Sequence, residues 1–212
     1  SQQNSKETSS FERLNVFSKN KLNFYFPGLT LTQINKINCV RLNQNLRSNS
    51  WPNRIPFGII IDKQKKIAFY LKFKSYFSKS ISPIPNTEFE QPEDVCITKT
   101  GTIFIADSAK HAIYTYKYNE NRTVSFVHKL TMDEEPFRCE TDKHGVLYVL
   151  TKQNTLRIIN VYGHRLLSVE SKINKKLKKS ILTDLTITNK GDILIDRKST
   201  RLNSSHLVIS YA

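Results

Sequence analysis

The stretch QPEDVCITKTGTIFIADSAKHAIYTYKY, Gln91 to Tyr118, decides the fold. Val95 and Ile97 alternate along one short run, Ile103 and Ile105 along the next, and Gly101 lies between the two runs. Alternation sends successive side chains to opposite faces of a strand. Glycine supplies the positive φ that a tight reversal between two strands requires. Two further apolar runs, Ala112 to Lys117 and Val124 to Leu130, complete a set of four short strands joined by short turns.

The same pattern recurs along the chain. One copy has Pro136, Cys139, Thr141, Gly145, Leu147 and Val149; another has Leu182, Leu185, Ile187, Gly191, Ile193 and Ile195. An earlier copy starts at Pro56, with Ile59 and Ile61, Lys65 in the glycine place, then Ile67 and Phe69. The interval from first marker to turn is constant: 56 to 65, 92 to 101, 136 to 145, 182 to 191. Four antiparallel strands repeated every ~40 residues are the signature of radially stacked blades. The predicted fold class is therefore all-β, a partial and open β-propeller of four-stranded antiparallel blades. A β-sandwich of short strands is the competing arrangement, and the constant interval favours blades. No helical periodicity with capping signals is evident between Pro56 and Ile195, so no helix is predicted there. The apolar residues of Lys21 to Leu42, among them Leu22, Phe24, Phe26, Ile37 and Val40, are assigned to outer strands of one earlier blade.

Within the first-quoted stretch, Ala106, Asp107, His111 and Ile113 resemble the signature A-D-x-x-N-H-R-I of NHL repeats, with Lys110 and Ala112 departing from its Asn and Arg. In the next copy Thr151 replaces the Asp, with Asn154, Arg157 and Ile158 as loose counterparts. The resemblance extends over Pro56 to Ile195. It implies a six-bladed parent acting as a scaffold that binds protein or single-stranded RNA. WD-type and YWTD-type signatures are absent. Six blades need roughly 250 residues, so the ring is not expected to close within this chain, and the missing blades are assigned to a longer one. Open arrays expose strand edges that invite aggregation.

The two ends are set apart. Residues 1–20, opening SQQNSKETSS, are expected to be a disordered lead-in, and residues 21–195 the propeller segment. The segment 196–212, DRKSTRLNSSHLVISYA, fits the translation of a common sequencing adapter and is expected to be a non-native tail. No apolar run approaches the ~18 to 20 residues of a membrane helix. With 12 Phe, 9 Tyr and 1 Trp the chain has the apolar bulk for a core. Its 33 basic against 18 acidic residues, net +15, attract phosphates and anionic surfaces.

Catalytic signals are weak. The histidines at 111, 128, 144, 164 and 206 never form a close pair. No glycine-rich phosphate loop or nucleophile elbow exists. No catalytic residue, metal ligand or cofactor is assigned. The alternative is a metal-dependent propeller enzyme of the lactonase or peptide-amidating lyase kind, whose channel ligands are not mapped onto individual residues of this chain. Asp107 and His111 are expected at a strand-to-turn junction, where a carboxylate accepts backbone N–H groups. Gly101, Gly145 and Gly191 complete that structural motif. Cys39, Cys96 and Cys139 lack Cys-x-x-Cys spacing, and Cys96 and Cys139 are expected to be buried. Asn121-Arg122-Thr123 is a glycosylation sequon in an expected turn.

The candidate surface for an anionic partner comprises Lys172, Lys175, Lys176, Lys178 and Lys179, expected in the link between two blades, with Arg138 and His111 nearby. Asp133, Glu134 and Glu135, expected on the same face, would weaken its field. Lys63, Lys65 and Lys66 are placed in a first hairpin turn on the opposite face.

Overall fold

The computed structural model describes residues 13–14, 37–42, 57–73, 79–85, 88–160, 162–177, 181–188, 190–198 and 204–209. The alternating runs of the quoted stretch form strands β6 (Pro92–Ile97), β7 (Thr102–Asp107), β8 (Ala112–Tyr118) and β9 (Val124–Thr131). They pair antiparallel in the order 6-7-8-9, with Val95 opposite Ile105 and Ile105 opposite Tyr114.

Both faces of this sheet are covered, which separates a blade from one layer of a sandwich. Val95, Ile97, Ile103, Ile105 and Tyr116 pack on Ile59, Ile61, Ala68 and Tyr70 of the preceding sheet. Cys96, Ala106 and Ile113, pointing the other way, pack on Cys139, Leu147, Val149 and Ile159 of the following sheet. That third sheet in turn presents Tyr148, Leu150, Leu156 and Ile158 to Leu182, Leu185, Ile193 and Ile195 of the fourth. Full burial of each such aliphatic side chain stabilises by about 1.5–3 kcal/mol. Successive sheets thus stack face to face in chain order, as blades do.

The first blade comprises β1 (Arg13–Leu14), β2 (Ile37–Leu42), β3 (Phe57–Asp62), β4 (Ile67–Phe73) and β5 (Lys79–Pro83), in that order. Its register corrects the repeat frame. In the second blade, Pro92 pairs with Asp107 and a bulge follows at Pro92/Asp94. In the first, Ile37 pairs with Asp62 and a bulge follows at Ile37/Cys39. Asp62 therefore holds the place of Asp107, and Phe57–Asp62 is a second strand, not the first strand expected from Pro56. Alternation identifies a strand but not its rank, and INCVRL of β2 alternates too poorly to claim the first place. Arg13 and Leu14, within the expected lead-in, pair with Arg41 and Val40; the remainder of residues 1–20 lies outside the described residues.

The third blade holds β10 (Pro136–Thr141), β11 (Leu147–Thr151) and β12 (Leu156–Ile159), and then departs from the four-strand expectation. A helix, α1 (Leu167–Leu177), stands where the fourth strand would be. Its side chains complete the open edge of β12. Asn174 Oδ1 accepts the Leu156 N–H at 2.9 Å and its Nδ2 donates to the Leu156 carbonyl at 3.1 Å. Glu170 Oε1 accepts the Ile158 N–H at 2.8 Å, and the Leu166 N–H reaches the Ile158 carbonyl at 2.8 Å. Covering an edge in this way blocks further strand pairing. The expectation of no helix in this region fails because the buried stripe is only Glu170, Ile173 and Leu177, one of them charged. Glu170 in the first turn and Lys175 and Lys176 in the last complement the helix dipole.

The fourth blade has β13 (Ile181–Ile187), β14 (Ile193–Lys198) and β15 (Ser204–Ile209). β15 lies within the segment expected to be a non-native tail and pairs Leu207 with Ile195. The first-ranked strands are neighbours around one line: β6 lies against β2 and β10, and β10 against β13. Their starts, with the links between blades, define one end of the array, the link end. Among the described residues no helix is long and apolar enough to cross a membrane.

Candidate functional site

In the first three blades the turn after the second strand is built around that strand's last residue. Asp107 is fully buried, and its carboxylate accepts the N–H groups of Glu90 (2.7 Å), Gln91 (3.0 Å) and Lys110 (3.1 Å). It fastens the incoming link to the outgoing turn. Asp62 does the same locally, accepting the Lys65 N–H at 3.1 Å. Each turn ends in a residue at positive φ: Lys66 at 56°, His111 at 47° and Asn154 at 60°. His111 is exposed; its N–H donates to the Ser108 carbonyl at 3.2 Å and its carbonyl accepts the Met132 N–H at 2.7 Å. Its backbone serves the turn. At the opposite end Gly101, Gly145 and Gly191 stand at φ 82°, 82° and 94° in the first hairpin turns.

The link end carries a chain of ion pairs that crosses blades. Glu93, only 8% exposed, sits in the bulge of β6. It pairs with Lys63 of the first blade, and its Oε1 lies 3.3 Å from Lys152 Nζ of the third. Ser108 Oγ donates to Glu93 at 3.0 Å, and Lys152 also reaches Glu135 at 3.4 Å. Burial alone would raise the Glu93 pKa. The hydrogen bond and charge of Lys63, helped by Ser108 and Lys152, outweigh it and hold the carboxyl below its ordinary range. Lys63 is therefore at the link end, in a second hairpin turn, not on the opposite face as the frame from Pro56 implied. Arg157 pairs with Glu134 and stands 3.6 Å from Glu170; Arg165 meets Glu170 at 2.7 Å and Asp133 at 3.9 Å. The acidic link Asp133–Glu135 is thus spent on neighbouring cations.

The expected basic surface divides. Lys172, Lys175 and Lys176 are exposed on α1, and no ion pair holds them among the described residues. Spacings of three and four residues bring Lys172 together with the other two on one helical face. Lys178 and Lys179 lie outside the described residues. Arg138 is elsewhere: it follows the bulge of β10, its Nη1 donates to the Phe137 carbonyl at 2.9 Å, and its Nε stands 3.7 Å from Asp184 Oδ1. The positions following the bulge in the four first-ranked strands carry Cys39, Asp94, Arg138 and Asp184. Asp94 Oδ2 accepts the Cys139 N–H at 3.1 Å, tying the second blade to the third. Cys96 and Cys139 are buried. Among the described residues no group of three or more His, Cys, Asp or Glu side chains is arranged to hold a metal. The ion pairs of Glu93 escaped the sequence reading, since nothing local marks which lysines a buried glutamate will meet.

No family model matches the chain, and no curated protein matches it. Among solved structures it is similar to a putative gluconolactonase at 12% identity and a TM-score of 0.51, over 83% of this chain and 62% of that one. A functionally unknown protein from Desulfotomaculum acetoxidans is similar at 11% identity and a TM-score of 0.51, over 81% of this chain and 62% of that one. Virginiamycin B lyase from Staphylococcus aureus matches at 13% identity and a TM-score of 0.48, over 72% of this chain and 52% of that one. The chain thus spans about half to two thirds of the length of these structures. At such identity the likeness to the two structures with a TM-score of 0.51 concerns fold alone, and it agrees with the stacking of sheets: the chain is an open segment of a β-propeller.

Proposed function

We propose that the chain belongs to a non-enzymatic binding scaffold, NHL-like in its repeats and drawn from a six-bladed parent, whose partner is an anionic macromolecule met by the solvent face of α1. The carrying observation is the contrast in pairing. Lys63, Lys152, Arg157 and Arg165 are engaged by carboxylates, whereas Lys172, Lys175 and Lys176 face solvent without a counter-charge among the described residues. Solvated lysines on one helical face attract phosphates or carboxylates over the distance of a Debye length. Single-stranded RNA and an acidic protein surface both satisfy that requirement. Lys178 and Lys179 follow directly in sequence and extend the same run.

Fluorescence anisotropy with a short oligouridylate, titrated across salt, tests the RNA form. Three phosphates neutralised on a single strand give a slope of log K against log salt of about −2. Changing Lys172, Lys175 and Lys176 together to Glu abolishes binding if the reading holds. A slope near zero, or unchanged affinity in the triple variant, removes RNA; the same variant tested against polyglutamate then decides the protein form. A metal-dependent enzyme would instead gather ligands along the channel. Arg138, a cation at the position that follows the bulge of a first-ranked strand and beside Asp184, favours the scaffold.

A further inference from the structure

The shortness of β12 leaves a second feature. β8 runs from Ala112 to Tyr118, but β12 ends at Ile159, and the turn with Asn160 and Gly163 then reverses the chain, so that Arg165 pairs back with Ile159. The face of the second blade that meets the third is therefore covered near Cys139 and Val149 but not at the end away from the links. A cleft of about 560 Å³ opens there, between the two blades. That volume lies within the range of small-molecule sites.

The walls of the cleft have two characters. Phe104, Ile113, Leu130, Leu147 and Ile159 form an apolar floor. Lys99, Lys117, Lys143, His128 and His144 stand around it, and among the described residues no Asp or Glu lines it. The nearby carboxylate of Asp142 is turned into its own turn, where it accepts the His144 and Val146 N–H groups at 2.8 and 2.9 Å. Lys117 Nζ is steadied by the Thr100 carbonyl at 2.7 Å.

One buried polar atom in the floor lacks a partner. Thr115 is 4% exposed and lines the cleft, yet its Oγ1 makes no hydrogen bond among the described residues. Its cross-strand neighbours are Phe104 and His128, and Lys117 follows two residues on, on the same face of β8. A buried hydroxyl without a partner costs about 1–3 kcal/mol, and a ligand oxygen would recover it.

We infer that this cleft binds an amphiphilic anion. Its head group is held by Lys117, the Thr115 hydroxyl and the turn lysines Lys99 and Lys143, and its apolar body lies over Ile113, Leu147 and Ile159. Among the described residues every charged wall is cationic, which selects an anion; the floor selects an apolar body longer than that of acetate. The site is separate from the lysines of α1 and does not depend on their role.

Isothermal titration of the full chain with decanoate tests the inference, with decanol and acetate as the uncharged and tail-less comparators. Decanoate is expected to bind saturably, and each comparator at least about tenfold more weakly, the effect of a charge-assisted hydrogen bond or a few buried methylenes. Lys99→Glu with Lys143→Glu, both in exposed turns, is expected to weaken decanoate about tenfold or more. Thr115→Val is expected to hold or raise the denaturation midpoint while weakening decanoate. Absence of saturable decanoate binding, equal affinity for decanol, or unchanged affinity in the lysine variant would overturn the inference. Thr115→Val with unchanged affinity would overturn the hydroxyl as a ligand.

Discussion

Replacing Asn174 by Ala removes both side-chain hydrogen bonds from α1 to Leu156, the 2.9 Å bond to its N–H and the 3.1 Å bond to its carbonyl. Leu156 is fully buried, and these two groups point away from β11, so no strand replaces the lost partner. Each orphaned buried backbone group costs about 1–3 kcal/mol. Asn174 itself is half-buried, and water entering the gap recovers part of that cost. A loss of about 2 kcal/mol follows for local opening of the β12 edge. At 1.4 kcal/mol per tenfold, the Leu156 amide should exchange about 30-fold faster in the variant. Amide hydrogen exchange read at Leu156 and Ile158 is the assay, with Lys172→Ala on the solvent face of the same helix as control. The Ile158 amide, held by Glu170, should accelerate less. If the Leu156 rate in the Asn174→Ala variant stays within about twofold of the unaltered chain, α1 is not the cover of this edge and the reasoning fails.

Other consequences can be measured on the same chain. Because the Glu93 carboxyl is held below its ordinary range, its contribution is present at neutral pH and disappears as pH falls through its folded value, below the ordinary 4.5. Denaturant midpoints taken between neutral and acid pH should show that fall, and Glu93→Gln should lower the neutral midpoint and flatten the curve. Tyr116 is fully buried and its hydroxyl has no partner among the described residues, so Tyr116→Phe should leave the denaturation midpoint unchanged or raise it by up to about 1 kcal/mol equivalent. At Gly191 a Cβ meets nothing within 4 Å, so the cost of Gly191→Ala is that of φ 94° alone, about 1–2 kcal/mol by chemical denaturation. Asp107→Ala strips three backbone N–H groups of their acceptor and should cost several times as much as Gly191→Ala in the same measurement.

The blades were legible because two periodicities coincide at positions such as Val95, Ile97, Ile103 and Ile105. Each strand alternates, and the alternation returns at a fixed distance around a glycine. Neither signal carries rank within a blade. Ile59 and Ile61 alternate as well as Val95 and Ile97, and only the pairing of Ile37 with Asp62 places them second. The helix was hidden for another reason: its buried face includes Glu170, whose charge is compensated by Arg157 and Arg165 from other elements. A sequence pattern scores that glutamate as solvent-facing. The lysine run was visible by composition, but its division was not. Whether a lysine is paired depends on carboxylates from other blades, as at Lys63, Lys152 and Glu93, and those meetings are set by tertiary stacking. The cleft depends on where β12 stops, and a missing stretch of strand leaves no mark in the residues that line the gap.

Successive sheets stand side by side around one line, in chain order. Carbodiimide cross-linking with peptide mass mapping reads this stacking at Glu93, whose carboxylate meets an amine from the blade before and an amine from the blade after. The predicted products are Glu93 joined to Lys63 and Glu93 joined to Lys152. Coupling of Glu93 only to lysines of its own sheet, such as Lys99 or Lys110, would contradict the stacking.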